Sequence, residues 1–219
     1  MVRVRWLGHA CFAIYGKDVV VVTDPHNGED LGIRPPDVKA DIVLISHGHY
    51  DHYNGLELVS KPDTKVIDSE EGEWEVKGVK IIGVRAYHDK SYGEIRGENY
   101  IYYFVIDGVS FCHLGDLGHT LEEEQLKVLK DKEIDVLMIP VGGVFTIDHN
   151  EAKTVVEQLN PRIVIPMHYK IPKLRLPIKD EKPFVKLFKN VEMLNTDSFD
   201  VSRESLPQEM KVVVLTYKG

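Results

Sequence analysis

The sequence predicts an α/β fold whose functional groups gather along one rim of a sheet. Two observations carry this expectation. Short apolar runs between polar flanks, such as Val19–Val22, Ile42–Ile45 and Val136–Ile139, read as buried strands, and helical stretches are interspersed among them. A histidine or aspartate then stands repeatedly where such a run ends, at Asp24, His47, His88, Asp116 and His168. Ligand pockets of α/β folds open at strand carboxyl ends, and scattered structural histidines would not follow that rule.

A chain of 219 residues can bury a substantial core, and one domain over 1–219 is expected. No apolar run nears the roughly 20 residues of a membrane span. The opening stretch, Met1 to Gly8, alternates like a strand and lacks the apolar centre of a signal peptide, so the expected location is cytoplasmic. There Cys11 and Cys112 are expected to stay reduced on buried strands, with a disulfide between them as the alternative, and they do not form a metal-type pair. A formal charge of −8 argues against binding a phosphate backbone over a wide surface, and so against nucleic-acid partners. The lysines between Lys170 and Lys189, interrupted by Asp180 and Glu181, read as a solvated helix face and loop. A small-molecule substrate is the expected partner, no membrane is involved, and a homo-oligomer is allowed.

Residues 2–7, 10–15 and 18–24 read as three strands, separated by Gly8 and by the turn Gly16-Lys17-Asp18. Asp24 closes the third, just before Pro25. Residues 25–40 are expected to be a long surface loop, of the kind that serves as a lid or binding loop, with His26 exposed on it. A short helix runs from Asn54-Gly55 to about Ser60. Strands follow near 65–68, 73–77 and 79–85, with Lys77-Gly78 as a hairpin turn. The last of them leads to His88 and a polar loop over 89–98.

Asp107-Gly108 joins strands at 99–106 and 109–114, delivering Cys112-His113-Leu114-Gly115-Asp116. His119 is expected to be exposed. Thr120 and Glu123 have the spacing of a capping box that opens a helix to about Lys130. The strand over 136–139 runs into Pro140-Val141-Gly142-Gly143, a tight turn whose N–H groups, beside a helix start, could also hold an anion. Asp148 and Glu151 cap the next helix, which reaches Leu159 and carries His149 in its first turn, away from any ligand role. A strand over 162–165 ends in Pro166-Met167-His168-Tyr169. A helix near 181–189 and strands near 191–195 and 210–216 close the chain.

The densest chemistry is Ser46-His47-Gly48-His49-Tyr50-Asp51-His52, directly after a buried strand. Burying so many polar groups in one loop is expensive unless something pairs with them all, and a metal ion does so most simply. In an extended segment alternate residues point the same way, so His47 and His49 can reach one ion. Asp51 and His52 lie beyond a bend and would face a second.

The pattern His47-x-His49-x-Asp51-His52 after a strand resembles the signature of the metallo-β-lactamase superfamily. That resemblance implies a four-layer αββα sandwich with a two-metal site at one edge. It implies His47, His49 and His88 on one ion, Asp51, His52 and His168 on the other, and Asp116 bridging them. It gives Asp24 an orienting role behind the ligands. Trp6-Leu7-Gly8-His9-Ala10, the Pro140–Thr146 segment and Ile165-Pro166-Met167-His168-Tyr169 are most similar to the ascorbate-6-phosphate-lactonase-like branch. That similarity brings His9 to the rim of the site, and His113 is assigned a supporting place near it.

The activity so implied is metal-dependent hydrolysis of a small ester, lactone or phosphoester. The expected cofactors are two divalent ions, zinc first, with manganese, nickel or iron as alternatives. Such a pair can hold a hydroxide at neutral pH, and Asp51 could orient that nucleophile or move its proton. An iron-dependent oxidoreductase on the same fold is the alternative. Against it, His49 stands where the flavodiiron branch has glutamate, and no flavin domain fits in this length. A phosphodiesterase or nuclease is opposed by the acidic balance. A non-catalytic metal-binding module would be expected to have shed ligands, and here the whole set is present.

Overall fold

The computed structural model describes residues 1–219. The chain lays down β1 (Val2–Gly8), β2 (Cys11–Tyr15), β3 (Val20–Thr23) and β4 (Ile42–Ile45), then two single-turn helices, α1 (Tyr50–Tyr53) and α2 (Leu56–Val59). Next come β5 (Lys65–Asp68), β6 (Gly72–Val76), β7 (Val79–Tyr87), β8 (Glu98–Ile106) and β9 (Val109–His113). The remainder is α3 (Glu123–Leu129), β10 (Val136–Pro140), α4 (His149–Leu159), β11 (Ile163–Met167), α5 (Lys182–Val185), β12 (Val191–Met193), β13 (Ser198–Val201) and β14 (Lys211–Val214). Two sheets result, ordered β13-β1-β2-β3-β4-β5 and β12-β14-β11-β10-β9-β8-β7-β6. This is the α/β, αββα-type sandwich expected from the sequence.

Strand alternation divides the first sheet between two apolar clusters. Val4, Trp6, Phe12, Ile14, Val21, Ile42 and Leu44 enter the large core between the sheets. Their neighbours Leu7, Cys11, Ala13, Val22, Val43 and Ile45 form a smaller cluster on the other face, covered by Val38 and Ala40 of the long loop and Val59 of α2. Both faces are dry, which is why these strands read as continuous apolar runs. Cys11 lies in the small cluster and Cys112 in the large one, and both are free thiols.

Strand direction brings the functional ends together. β3 runs parallel to β4, and β1 reaches the same direction through two antiparallel steps. In the second sheet β9, β10 and β11 are parallel, and β7 shares their direction through β8. The carboxyl ends of β1, β3, β4, β7, β9 and β11 therefore deliver His9, Asp24, His47, His88, Asp116 and His168. Both predicted two-residue hairpins form, with Lys77 and Gly78 at φ 49° and 78°, and Asp107 and Gly108 at 47° and 79°. Those are the left-handed values that a two-residue turn demands.

Several local expectations are corrected. The expected helix from Asn54-Gly55 to about Ser60 forms as α2, with Gly55 and Ser60 at its ends, but an unexpected turn, α1, precedes it and carries Asp51 and His52. The capping box sits two residues later than Thr120: Glu122 caps α3 and Gln125 closes the box, because Gln158 of α4 clamps both backbone groups of Leu121. The helix near 181–189 is only the turn Lys182–Val185. The edge strand β13 was not expected. Its short mixed sequence pairs with β1, aided by Asp200 on Arg3 and Asp197 on Arg5.

Beneath the first sheet, the carboxylate of Asp41 accepts from Lys61 Nζ and Lys77 Nζ, each at 2.7 Å, and from the Val20 amide at 2.8 Å. Burial opposes its charge, but the two lysines hold its carboxyl down to about 2. A folded value below the unfolded one means stability that is complete above about pH 4 and lost as pH falls towards 2. Asp41→Asn is expected to remove about 1 kcal/mol at pH 7 and to flatten the acid limb of the stability curve. Urea unfolding from pH 2 to 7 measures both, and superimposable curves would refute the pairing.

Candidate metal centre

Asp24 is the organiser of the site. It follows β3 with φ 39°, a strained value for a residue with a side chain, and is fully buried. Its Oδ1 accepts the Ser46 amide at 2.7 Å. Its Oδ2 accepts the Ser46 hydroxyl at 2.8 Å, His52 Nδ1–H at 3.0 Å and His113 Nε2–H at 2.8 Å. Burial opposes ionisation, yet His113 and His52 keep this carboxyl far below the ordinary carboxylate range.

These bonds set tautomers. The Ser46 hydroxyl proton is committed to Asp24, so Ser46 Oγ accepts from His47 Nδ1–H at 2.9 Å. His47 and His52 are thereby left with lone pairs on Nε2, the arrangement that suits a metal ligand. Both Nε2 atoms are buried and lack a hydrogen-bond partner, as do His168 Nε2 and Asp116 Oδ1.

Two donor groups and a link between them emerge. His47, His49 and His88 each offer one atom, all within 4.8 Å of one another, and so do His9, Asp51, His52 and His168. A third set on the same criterion, His47, His52 and Asp116, joins the two and places Asp116 between them. Its Oδ2 is 3.1 Å from His88 Nε2 and 3.2 Å from His168 Nε2, and its Oδ1 is 3.2 Å from His52 Nε2 without hydrogen-bond alignment. Burial opposes the charge of Asp116, but His168 and His52 hold it ionised well below the usual range. Burial likewise presses His52 towards neutrality, and Asp116, Asp51 and Asp24 overcome it and raise its pKa well above normal, so these carboxylates draw a cation to its Nε2, either a proton or a metal ion that displaces the proton and takes the lone pair. Buried carboxylates facing convergent imidazole lone pairs require positive charge, and divalent ions fit that requirement.

His9 was expected at the rim but lies fully buried beneath the site. Its Nε2–H donates to Asp51 Oδ2 at 2.9 Å, and its ring lies 4.1 Å from that of His168. Burial, reinforced by His168, lowers its pKa to about 3, so it is a neutral donor. His113 touches Asp24 rather than the clusters. His26 and His119, both expected on the surface, are buried. His26 Nε2–H donates to Leu7 O at 3.1 Å, while His119 Nε2 accepts the Tyr87 amide at 3.1 Å and steadies the end of β7. The Gly142-Gly143 turn serves close approach: a Cβ on Gly142 would lie 2.2 Å from His168 O, and Asp148 already occupies the α4 amides.

Sequence reasoning missed Ser46 and Asn99. Asn99 Oδ1 accepts the Asp116 amide at 2.8 Å and its Nδ2 donates to Leu114 O at 2.9 Å, fixing the turn that carries Asp116. Gly115, at φ 55°, admits both residues, since a Cβ there would lie 2.4 Å from Ser46 Cβ and from Asn99 Oδ1. Ser46 adjoins the histidine cluster in sequence, which was a usable signal. Asn99 had none. A cleft of about 240 Å³ opens over His49, Asp51, His88 and Asp116.

A two-sheet sandwich with paired histidine and aspartate clusters at one edge defines a metal-binding protein of the metallo-β-lactamase type. The β-lactamase superfamily domain model matches residues 3–168, which contain every clustered residue. A UPF0173 metal-dependent hydrolase from Thermococcus onnurineus is 34% identical over 191 residues, covering 77% of this chain and 85% of that protein. A crystal structure from Thermotoga maritima, of a metallo-β-lactamase superfamily protein assigned as a Zn-dependent hydrolase, is 38% identical with a TM-score of 0.80, covering 99% of both chains. A metallo hydrolase from Ignicoccus hospitalis shares the fold at 22% identity and a TM-score of 0.65, covering 85% of this chain and 89% of that one. The chain belongs to the metallo-β-lactamase superfamily and, within it, to the UPF0173 metal-dependent hydrolases.

Proposed function

We propose that this protein hydrolyses a small ester, lactone or phosphoester with two divalent ions. His47, His49 and His88 would hold one ion, Asp51, His52 and His168 the other, and Asp116 would touch both. The observation that carries this reading is the position of the Asp116 carboxylate, within 3.2 Å of His52, His88 and His168, which come from the two donor groups. When bound, the ions would supply a water nucleophile at neutral pH and polarise the oxygen that gains charge. Asp51 faces the cleft and offers the oxygen that His9 leaves free, which suits it to orient a nucleophile or move its proton. His9 holds Asp51 in place, and Asp24 holds His52 directly and His47 through Ser46. Zinc is the favoured metal, in keeping with the Thermotoga maritima relative, with manganese, nickel or iron as alternatives.

Elemental analysis of untagged protein is the test. About two equivalents of zinc, manganese or nickel per chain, with turnover of lactones or esters, is the expected result. Iron accompanied by oxygen consumption would replace hydrolysis with an oxidative reading. Failure to take up metal after reconstitution would refute the centre.

A further inference from the structure

The walls of the cleft over the metal centre are Tyr50, Phe145, Leu176 and Arg96. Arg96 also borders an adjoining hollow of about 300 Å³ that reaches Gly48 and Glu98. Its guanidinium lies 4.7 Å from the centroid of the Phe145 ring and is paired with no carboxylate. Two acidic residues of the same loop, Asp89 and Glu98, are engaged elsewhere, and Glu94 is exposed and forms no ion pair with it. Glu98 accepts the Tyr100 hydroxyl at 2.7 Å and faces Arg85 at 3.7 Å. Asp89 spends its carboxylate on the amides of Ser91, Gly93, Ile95 and Arg96 itself, at 2.7–3.1 Å.

This arrangement has two consequences. Asp89 folds the loop around its own side chain, so the backbone of Arg96 reaches the cleft already ordered, and binding through it forfeits little loop entropy. A guanidinium stacked on an aromatic face still presents its N–H edge, the fork that matches a carboxylate or phosphate. Phe145, Leu176 and Tyr50 offer apolar surface in the cleft that the fork shares with His49, Asp51, His88 and Asp116.

We propose that Arg96 selects substrates by holding an anionic group, carboxylate or phosphate, at the end remote from the reacting ester, with the apolar middle lying on Phe145 and Leu176. The proposal rests on the hydrolytic reading above. Hydrolysis would add one water across the acyl–oxygen bond, releasing a carboxylic acid and an alcohol, with the remote anion unchanged.

The test uses metal-loaded protein and a matched set of acetates: 4-acetoxybenzoate, its neutral methyl ester, and 4-acetoxyphenyl phosphate. In the wild type, kcat/KM should favour the anionic members. In Arg96→Gln the ratio of anionic to neutral kcat/KM should fall about tenfold, carried mainly by KM, and Arg96→Lys should recover part of it. The larger of the losses for carboxylate and phosphate identifies which anion the site takes. An unchanged ratio in Arg96→Gln would overturn the proposal. Calorimetric titration with 4-hydroxybenzoate and 4-hydroxyphenyl phosphate separates the two readings. If the wild type cleaves no ester, hydrolysis falls, while binding weakened about tenfold in Arg96→Gln still supports the anion site, and equal binding overturns it.

Discussion

Asp116→Ala is expected to lower the metal content from about two ions per chain to one or fewer while leaving a folded protein. Asp116 is the one carboxylate within reach of both donor groups, and its two oxygens can serve two ions at once. Without it, the first group keeps three neutral imidazoles and no anion, which leaves the charge of a divalent ion uncompensated. Loss of a partner that only orients a ligand weakens metal affinity 10–100-fold, and loss of the shared ligand should exceed that range. Hydrolysis should fall with it. Elemental analysis after exhaustive dialysis, paired with circular dichroism, reads both effects. Two tightly retained ions in the variant would refute the bridge.

Asp24→Ala should damage stability and the centre together. The substitution strands the Ser46 amide and hydroxyl, His52 Nδ1–H and His113 Nε2–H, all buried donors. Breaking one partner of a buried charged network costs about 3–5 kcal/mol. For a chain of this size that is a melting-temperature drop of roughly 10 °C. His52 would be free to flip tautomer and His47 would lose the serine that fixes its own, so metal affinity should fall about 10–100-fold. The folded pKa of Asp24 lies below its unfolded value, so its contribution is present from neutral pH down to about pH 4 and fades only in stronger acid. Denaturant unfolding at pH 7 that shows a loss under about 1 kcal/mol would remove Asp24 from this organising role.

The sequence by itself determined the features that depend on near neighbours. The histidine–aspartate cluster occupies a single loop, so its spacing was visible without the fold. The hairpins at Lys77-Gly78 and Asp107-Gly108 and the cap at Asp148 followed from turn and capping chemistry confined to a few residues. The placement of chemistry at strand ends followed from apolar runs that end abruptly, because both faces of those strands are buried.

Only the tertiary structure decided what converges from far apart in sequence. That Asp24 grips His52 and His113, that His9 reaches under the site to Asp51, and that Asn99 fixes Asp116 are contacts across 17 to 89 residues, set by strand order and direction. The burial of His26 and His119 depends on backbone groups of Leu7 and Tyr87 that no local pattern brings near. The strand β13 exists because β1 offers an unpaired edge, not because Ser198–Val201 favours extension strongly. Arg96 resembles any loop arginine until Asp89 closes the loop and Phe145 arrives from beyond β10. Local spacing chose the atoms of the centre, and packing of the two sheets chose their protonation, orientation and company.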